Sequence, residues 1–304
     1  MATSAQFPEE SSEEGEFERQ EDAFRGWVRA DGSTPYAPAP GRYHLYVSLA
    51  CPWAHRALIV RHLKRLDAAI GCTVVDPVRD ERGWAFREGA GFSRDPVNGF
   101  AFLREAYRAS APDFRGRWTV PVLWDKQTKR IVNNSEDDLC RMFNSEFPAS
   151  APGTPDLFPP ELAAEQAALS QLIYERVNNG VYRAGFATKQ AVYERAARLV
   201  FATLDTLEAR LAGRRYLFGD RMVETDWRLF CTLIRFDAVY HGHFKCNLRR
   251  IVDYPNLLRL LRDLYQTPGI AETVNFDHIK RHYYVTHTEI NPTQIVPIGP
   301  EPYL

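Results

Sequence analysis

A change of hydrophobic rhythm across a proline cluster constrains this 304-residue chain more than any other feature. Before about residue 147, short apolar and β-branched runs alternate with helical stretches. After about residue 160, apolar residues recur at helical spacing and no convincing strand pattern remains. Between the two lie Pro148, Pro152, Pro155, Pro159 and Pro160, with Gly153 among them, residues that interrupt helix and strand alike. The pattern predicts a small α/β domain, a linker at 147–160 and an all-α domain, an organisation that suits the length.

Within the first part, Tyr43–Ser48 reads as a strand, and Pro52 sits where a helix accepts proline in its first turn. From Trp53 to Leu66 the residues Ala54, Leu58, Ile59, Leu63 and Leu66 keep a helical period, and Thr73–Val75 is a short second strand. Residues 76–116, rich in Gly, Arg and Asp, have poor periodicity and read as a long, partly ordered insertion. A strand at Thr119–Trp124, a turn, a strand at Arg130–Val132 and a helix at Glu136–Asn144 follow. The order β-α-β, insertion, β-β-α is the connectivity of a thioredoxin-like domain, although periodicity alone supports only a small α/β unit. Helices are predicted at Leu162–Asn178, Lys189–Leu211, Asp226–Asp237, Pro255–Gln266 and Gly269–Tyr284. The predicted boundaries are an acidic, mobile tail at 1–22, an α/β domain at 23–146, the linker at 147–160, a helical domain at 161–290 and an extended tail at 291–304.

Charge excludes some functions. Thirty-eight basic and 39 acidic side chains leave a formal charge of −1, without the basic field that nucleic-acid binding demands. No apolar run approaches the roughly 20 residues that cross a bilayer, and the acidic start has no apolar signal segment. The five cysteines (Cys51, Cys72, Cys140, Cys231 and Cys246) form no CxxC and no metal spacing, which suits a cytoplasmic protein with reduced thiols and no metal. Arg61, Lys64 and Arg65 read as a solvated basic helix face.

Cys51 differs from the other four cysteines, whose simplest role is packing. It stands between the first strand and a helix opened by Pro52, where unpaired backbone N–H groups and the helix dipole favour a thiolate. Residue 54 is alanine, so no second cysteine closes an internal disulfide, and an external thiol must resolve any mixed disulfide.

Five blocks carry a resemblance: YHLYVSLACPWAH (43–55), VPVLW (120–124), NNGVYRAGFA (178–187), HFKCN (243–247) and ETVNFDHIKRHYY (272–284). Together they resemble the glutathionyl-hydroquinone reductases, the Xi class of the glutathione transferase superfamily, over residues 24 to 300. The resemblance implies a glutathione-transferase architecture, a thioredoxin-like domain followed by an all-helical one. It also implies an enzyme that uses glutathione to reduce glutathionyl-hydroquinones, without nucleic acid or membrane, and typically as a homodimer. Cys51 is then the nucleophile and Tyr182 the proton donor, with Tyr240 and Tyr283 helping to keep the cysteine ionised. The implied glutathione site takes in Trp84, Arg117, Trp118, Thr119, Val120 (before a cis Pro121), Ser135 and Glu136.

Two positions depart from the family pattern. Its Glu-Ser pair is reversed here as Ser135-Glu136, with Asp137 and Asp138 following, and those carboxylates are expected to repel the glutathione carboxylate. The threonine that opens a capping box in the helical domain is Val223, leaving Asp226 and offering Thr225 as a substitute cap. An omega-like thiol transferase or dehydroascorbate reductase acting through Cys51 is an alternative reading. So is a non-catalytic ligand-binding module, although such a module has no chemical reason to keep Cys51 and the three tyrosines together.

Overall fold

The computed structural model describes residues 10–147, 153–302 and 304. The chain divides into two compact units. The first gathers Gln20–Pro155 with Asp277–His282; the second gathers Asp156–Phe276, Tyr283–Leu304 and the described part of Gln6–Arg19.

In the first unit, β1 (Tyr43–Val47) leads through α1 (Pro52–Leu63) to β2 (Gly71–Val74). Then come α2 (Arg104–Ser110), β3 (Val122–Asp125), β4 (Arg130–Asn133) and α3 (Glu136–Ser145). The sheet order is β2-β1-β3-β4. β1 and β2 run parallel, which requires the crossover through α1, whereas β3 is antiparallel to both β1 and β4. Every residue of β1 and β3 is buried, so the near-continuous apolar runs read in the sequence are the two central strands. α1 packs on α3.

The partly ordered insertion at 76–116 contains α2, whose Ala106 and Tyr107 are fully buried. A seven-residue helix anchored by two side chains leaves little periodicity to read. The supposedly solvated face of α1 is corrected. Arg61 and Lys64 are buried; Arg61 holds the Ile70 carbonyl and Asp67, while Lys64 donates to the Pro155 carbonyl at 3.0 Å. Arg61 serves the turn after α1 and Lys64 the chain beyond it, at Asn144 and Pro155, while Arg65 is exposed as expected.

The second unit contains α4 (Ala163–Ile173), α5 (Gly180–Gly185), α6 (Gln190–Arg210), α7 (Glu224–Arg235) and α8 (Pro255–Tyr265). A further helix, α9 (Phe276–Thr286), contributes Asp277–His282 to the first unit and its last residues to the second. Among the described residues, all named strands lie in the first unit. Single π turns, Tyr174–Asn178 and Phe236–Tyr240, follow α4 and α7, and such turns often mark functional positions. The expected helix at Leu162–Asn178 therefore ends in a π turn, and that at Gly269–Tyr284 is divided into a 3-10 turn and α9.

α7 keeps half a capping box. The buried carboxylate of Asp226 accepts from the Val223 N–H and the Leu217 N–H, both at 2.9 Å. Thr225 does not substitute as the cap, because its hydroxyl pairs with Ser170 at 2.8 Å.

Residues 1–9 of the expected tail lie outside the described residues, but residues 10–19 are packed in the second unit, with Phe17 only 4% exposed. One buried aromatic in an acidic stretch gives a weak sequence signal, yet it holds the segment.

Two buried histidines make stability pH-dependent. Burial holds His44 and His243 down to about 4, against an ordinary value of about 6.5. His44 Nε2 meets the Thr73 hydroxyl at 2.8 Å across β1 and β2. The unfolded chain takes up protons near pH 6.5 that the folded histidines refuse until about pH 4, so this stabilisation is complete above 6.5 and is lost progressively as pH falls. Urea midpoints should fall between pH 7 and 4.5, and His44→Gln should flatten that dependence; an equal slope in the variant would remove His44 from the account.

Candidate active site

The first unit carries the thiol and the implied glutathione residues. Cys51 is the N-cap of α1, with φ −78° and ψ 120°, and Pro52 occupies the first helical position. The thiol is half-buried, is not in a disulfide, and its Sγ donates to the Val120 carbonyl at 3.6 Å. The Val120–Pro121 bond is cis. The register that pairs Tyr46 with Val122 brings the end of β1 and the approach to β3 to one end of the sheet. The Val120 carbonyl and the sulfur thus meet for a structural reason, since strand pairing delivers both.

The other cysteines fit their bland reading. Burial pushes Cys72 up to about 11 and Cys246 up to about 12, which keeps both as inert thiols.

Beside Cys51, a side-chain network fixes the remaining glutathione candidates. The Tyr107 hydroxyl donates to the Thr119 carbonyl at 2.9 Å, while Asn134 Nδ2 reaches both Tyr107 Oη and Thr119 Oγ1 at 3.2 Å. Asn134 precedes Ser135, so this network ties the Thr119–Val120 segment to the start of α3. Ser135 is the N-cap of α3, its N–H bonded to Asn133 Oδ1 at 2.7 Å. Arg117 and Trp118 are half-buried in the approach to Val120.

Trp84 is buried and stacks on His282, with ring centroids 4.9 Å apart, and the Arg79 guanidinium lies 5.5 Å from its ring centre. Gly83 has φ +91°, and a Cβ there would come within 3.1 Å of the Trp118 ring, so glycine is required both for the turn and for the approach.

The acidic start of α3 is compensated. Arg56, buried in α1, pairs with Glu136 at 3.1 Å and also with Asp137. Asp138 accepts from Arg25 at 2.8 Å and from Asn133 Nδ2 at 3.0 Å. Burial pushes Glu136 up to about 7, opposed by the Arg56 charge. Two arginines and an asparagine side chain thus pair with the three carboxylates. Arg25, Tyr107 and Asn134 carry no motif of their own for these duties, whereas Arg56 ends the stretch that follows Cys51 and His282 lies in the block 272–284.

The second unit holds the tyrosines. Tyr182 lies on α5, Tyr240 ends the π turn after α7, and Tyr283 lies on α9. Their hydroxyls form a row, with Tyr182 to Tyr283 at 2.5 Å and Tyr240 to Tyr283 at 2.9 Å. Nothing in their spacing, 58 and 43 residues apart, predicts this meeting. Burial raises Tyr240 and Tyr283 well above the ordinary phenol value, so both stay protonated and can donate hydrogen bonds. Phe244 stacks on Tyr240 at 5.5 Å and meets Tyr182 edge-on at 5.3 Å, giving the row an aromatic surround. Among the described residues no group of histidine, cysteine or carboxylate side chains could hold a metal, and no helix is long and apolar enough to cross a membrane.

Comparison with known proteins gives this arrangement a context. The glutathione S-transferase N-terminal domain family matches residues 50–146, and the glutathione S-transferase C-terminal domain family matches residues 190–263. The glutathionyl-hydroquinone reductase PcpF of Sphingobium chlorophenolicum is 49% identical over 94% of this chain and 90% of its own. The glutathionyl-hydroquinone reductase YqjG of Escherichia coli is 50% identical over 94% of this chain and 89% of its own. The glutathione S-transferase omega-like 2 of Schizosaccharomyces pombe is 43% identical over 96% of both chains. Among solved structures, the glutathione-S-transferase Xi of Phanerochaete chrysosporium superposes with a TM-score of 0.91 at 48% identity, covering 94% of this chain and 98% of that one. A glutathione-bound structure of the Escherichia coli protein gives 0.89 at 49% identity, covering 92% and 93%. With both domain families matched and relatives near half identity over almost its whole length, this chain belongs to the glutathionyl-hydroquinone reductases, the Xi class of the glutathione transferases.

Proposed function

We propose that this protein reduces glutathionyl-hydroquinones to hydroquinones with glutathione as the reductant. Cys51 at the opening of α1 carries the reading, because a lone, partly accessible sulfur at a helix N-terminus is placed to act as a thiolate nucleophile. The Cys51 thiolate attacks the glutathionyl sulfur of the conjugate, forming a sulfur–sulfur bond. The carbon–sulfur bond breaks, its electron pair goes to the ring carbon, and Tyr182 gives that carbon a proton. A second glutathione thiolate then attacks the glutathionyl sulfur of the mixed disulfide, releasing glutathione disulfide and restoring Cys51. Buried phenols that stay protonated, Tyr240 and Tyr283, suit the role of donors that stabilise the thiolate.

For glutathione itself, the Val120 backbone offers strand-like pairing to the tripeptide. The N-terminus of α3 at Ser135 suits the γ-glutamyl carboxylate, Trp84 and Trp118 supply aromatic walls, and Arg117, Thr119 and Glu136 complete the set. A thiol-transferase activity on small disulfides is a second reading, favoured by the omega-like relative and by the fact that disulfide exchange needs only Cys51 and glutathione. We infer a cytoplasmic location, since the reaction consumes reduced glutathione and five free thiols suit a reducing compartment. A homodimer formed through the helical unit accords with the family, and sedimentation should give twice the monomer mass.

Cys51→Ser should abolish turnover of a glutathionyl-hydroquinone, because an alkoxide forms no exchangeable sulfur–sulfur bond; mass spectrometry should find one glutathione on the native chain and none on the variant. Retained turnover, or an adduct on Cys246, would overturn the assignment. Tyr182→Phe should lower kcat about a hundredfold, as loss of a general acid does. Because Arg56 pairs with both Glu136 and Asp137, Asp137→Asn should change glutathione affinity less than about threefold, a small effect for a charge already compensated. Calorimetry showing a large gain in affinity would mean that Asp137 still repels the ligand.

A further inference from the structure

Residues 10–19 form a small hairpin in the second unit. The Glu18 N–H donates to the Glu10 carbonyl at 2.8 Å, and the Gly15 N–H to the Ser12 carbonyl at 2.9 Å. Three bonds fix the hairpin to the segment around α6. The Thr188 N–H meets the Gly15 carbonyl at 3.2 Å, Lys189 Nζ meets the Glu13 carbonyl at 2.8 Å, and Arg195 pairs with Glu16. Gly15 has φ +83°, and a Cβ on it would lie 2.5 Å from the Thr188 hydroxyl. The hairpin is thus built to approach this surface closely.

What it delivers is a contact with Tyr182. The Phe17 ring stacks on Tyr182 and tilts against Phe186, with centroids 6.2 and 5.4 Å away. The Arg19 guanidinium lies 4.9 Å from the centre of the Tyr182 ring and 5.3 Å from that of Phe17. Arg19 Nε also donates to Asn179 Oδ1 at 3.1 Å, and the Asn179 carbonyl accepts the Tyr182 N–H at 3.1 Å. One guanidinium therefore holds both the ring and the residue that opens its helix.

Tyr182 needs such a hold. It is half-buried, on a six-residue helix preceded by a π turn, so packing alone restrains its ring incompletely. A cation over the ring face also favours the electron-rich ring that develops as the hydroxyl releases its proton.

We propose that Arg19, carried by the hairpin of residues 10–19, is a positioning residue for Tyr182 in cleavage of the carbon–sulfur bond. The inference rests on Tyr182 being the proton donor.

The test uses the full chain and two reactions, reduction of a glutathionyl-hydroquinone and glutathione-dependent reduction of bis(2-hydroxyethyl) disulfide. The second leaves a thiolate rather than a carbon centre and needs no proton on carbon. In Arg19→Met, kcat on the conjugate should fall about tenfold with KM within about twofold, as loss of orientation predicts, so the ratio of the two activities falls about tenfold. Arg19→Lys, which keeps a cation over the ring, should recover much of that ratio. Adding Arg19→Met to Tyr182→Phe should cost less than about twofold more, because Arg19 acts through the phenol. An unchanged ratio, an equal loss of both activities, or independent losses in the double variant would each overturn the proposal. Absence of conjugate turnover by the native chain would instead sink the reductase reading, and unchanged turnover in Tyr182→Phe the donor assignment.

Discussion

The pairing of β1 with β3 is the constraint on which the sulfur half of the site depends. Antiparallel register is strongly specified here because both strands are buried throughout, and a slip by one residue would turn buried side chains to the wrong face. That register fixes Tyr46 opposite Val122, so Cys51, just past the end of β1, comes to the Val120 carbonyl just before β3. The placement of the thiol is thus inherited from the core. The loop residues between Val47 and Pro52 need supply only the cysteine.

Around that frame, the charges are arranged by pairing rather than by sparing use. Three carboxylates open α3, a favourable place for negative charge on the helix dipole but an unfavourable one beside an anionic ligand. Arg56 and Arg25 relieve the conflict, one from inside α1 and one from the segment before β1. Arg56 is nearly inaccessible, so its charge is screened little by solvent and acts strongly on Glu136 and Asp137. The cation beside the reversed Ser135-Glu136 pair is held there by the packing of α1 on α3.

How much could be read from the sequence follows from how local each signal is. The strand, Cys51, Pro52 and the helix after it lie within a dozen residues, so their chemistry was readable. Proline spacing likewise marked where the helical part begins. α2 escaped notice because a short helix held by Ala106 and Tyr107 leaves too few apolar positions to set a period. The hairpin at 10–19 was read as tail because its acidic residues outnumber the single aromatic that anchors it. The tyrosine row joins three helical segments far apart in the chain, and such a contact leaves no periodic trace. Family resemblance named those tyrosines, whereas their spacing alone did not.

The row of three phenols also has a polarity. Each hydroxyl has one hydrogen to give, and a buried hydroxyl that fails to place its hydrogen on an acceptor costs about 1–3 kcal/mol. In each bond of the row either hydroxyl can be the donor, and Tyr283, between the other two, has one hydrogen to share. Whichever neighbour receives it, the other must give, so donor and acceptor roles along the row are set together rather than phenol by phenol.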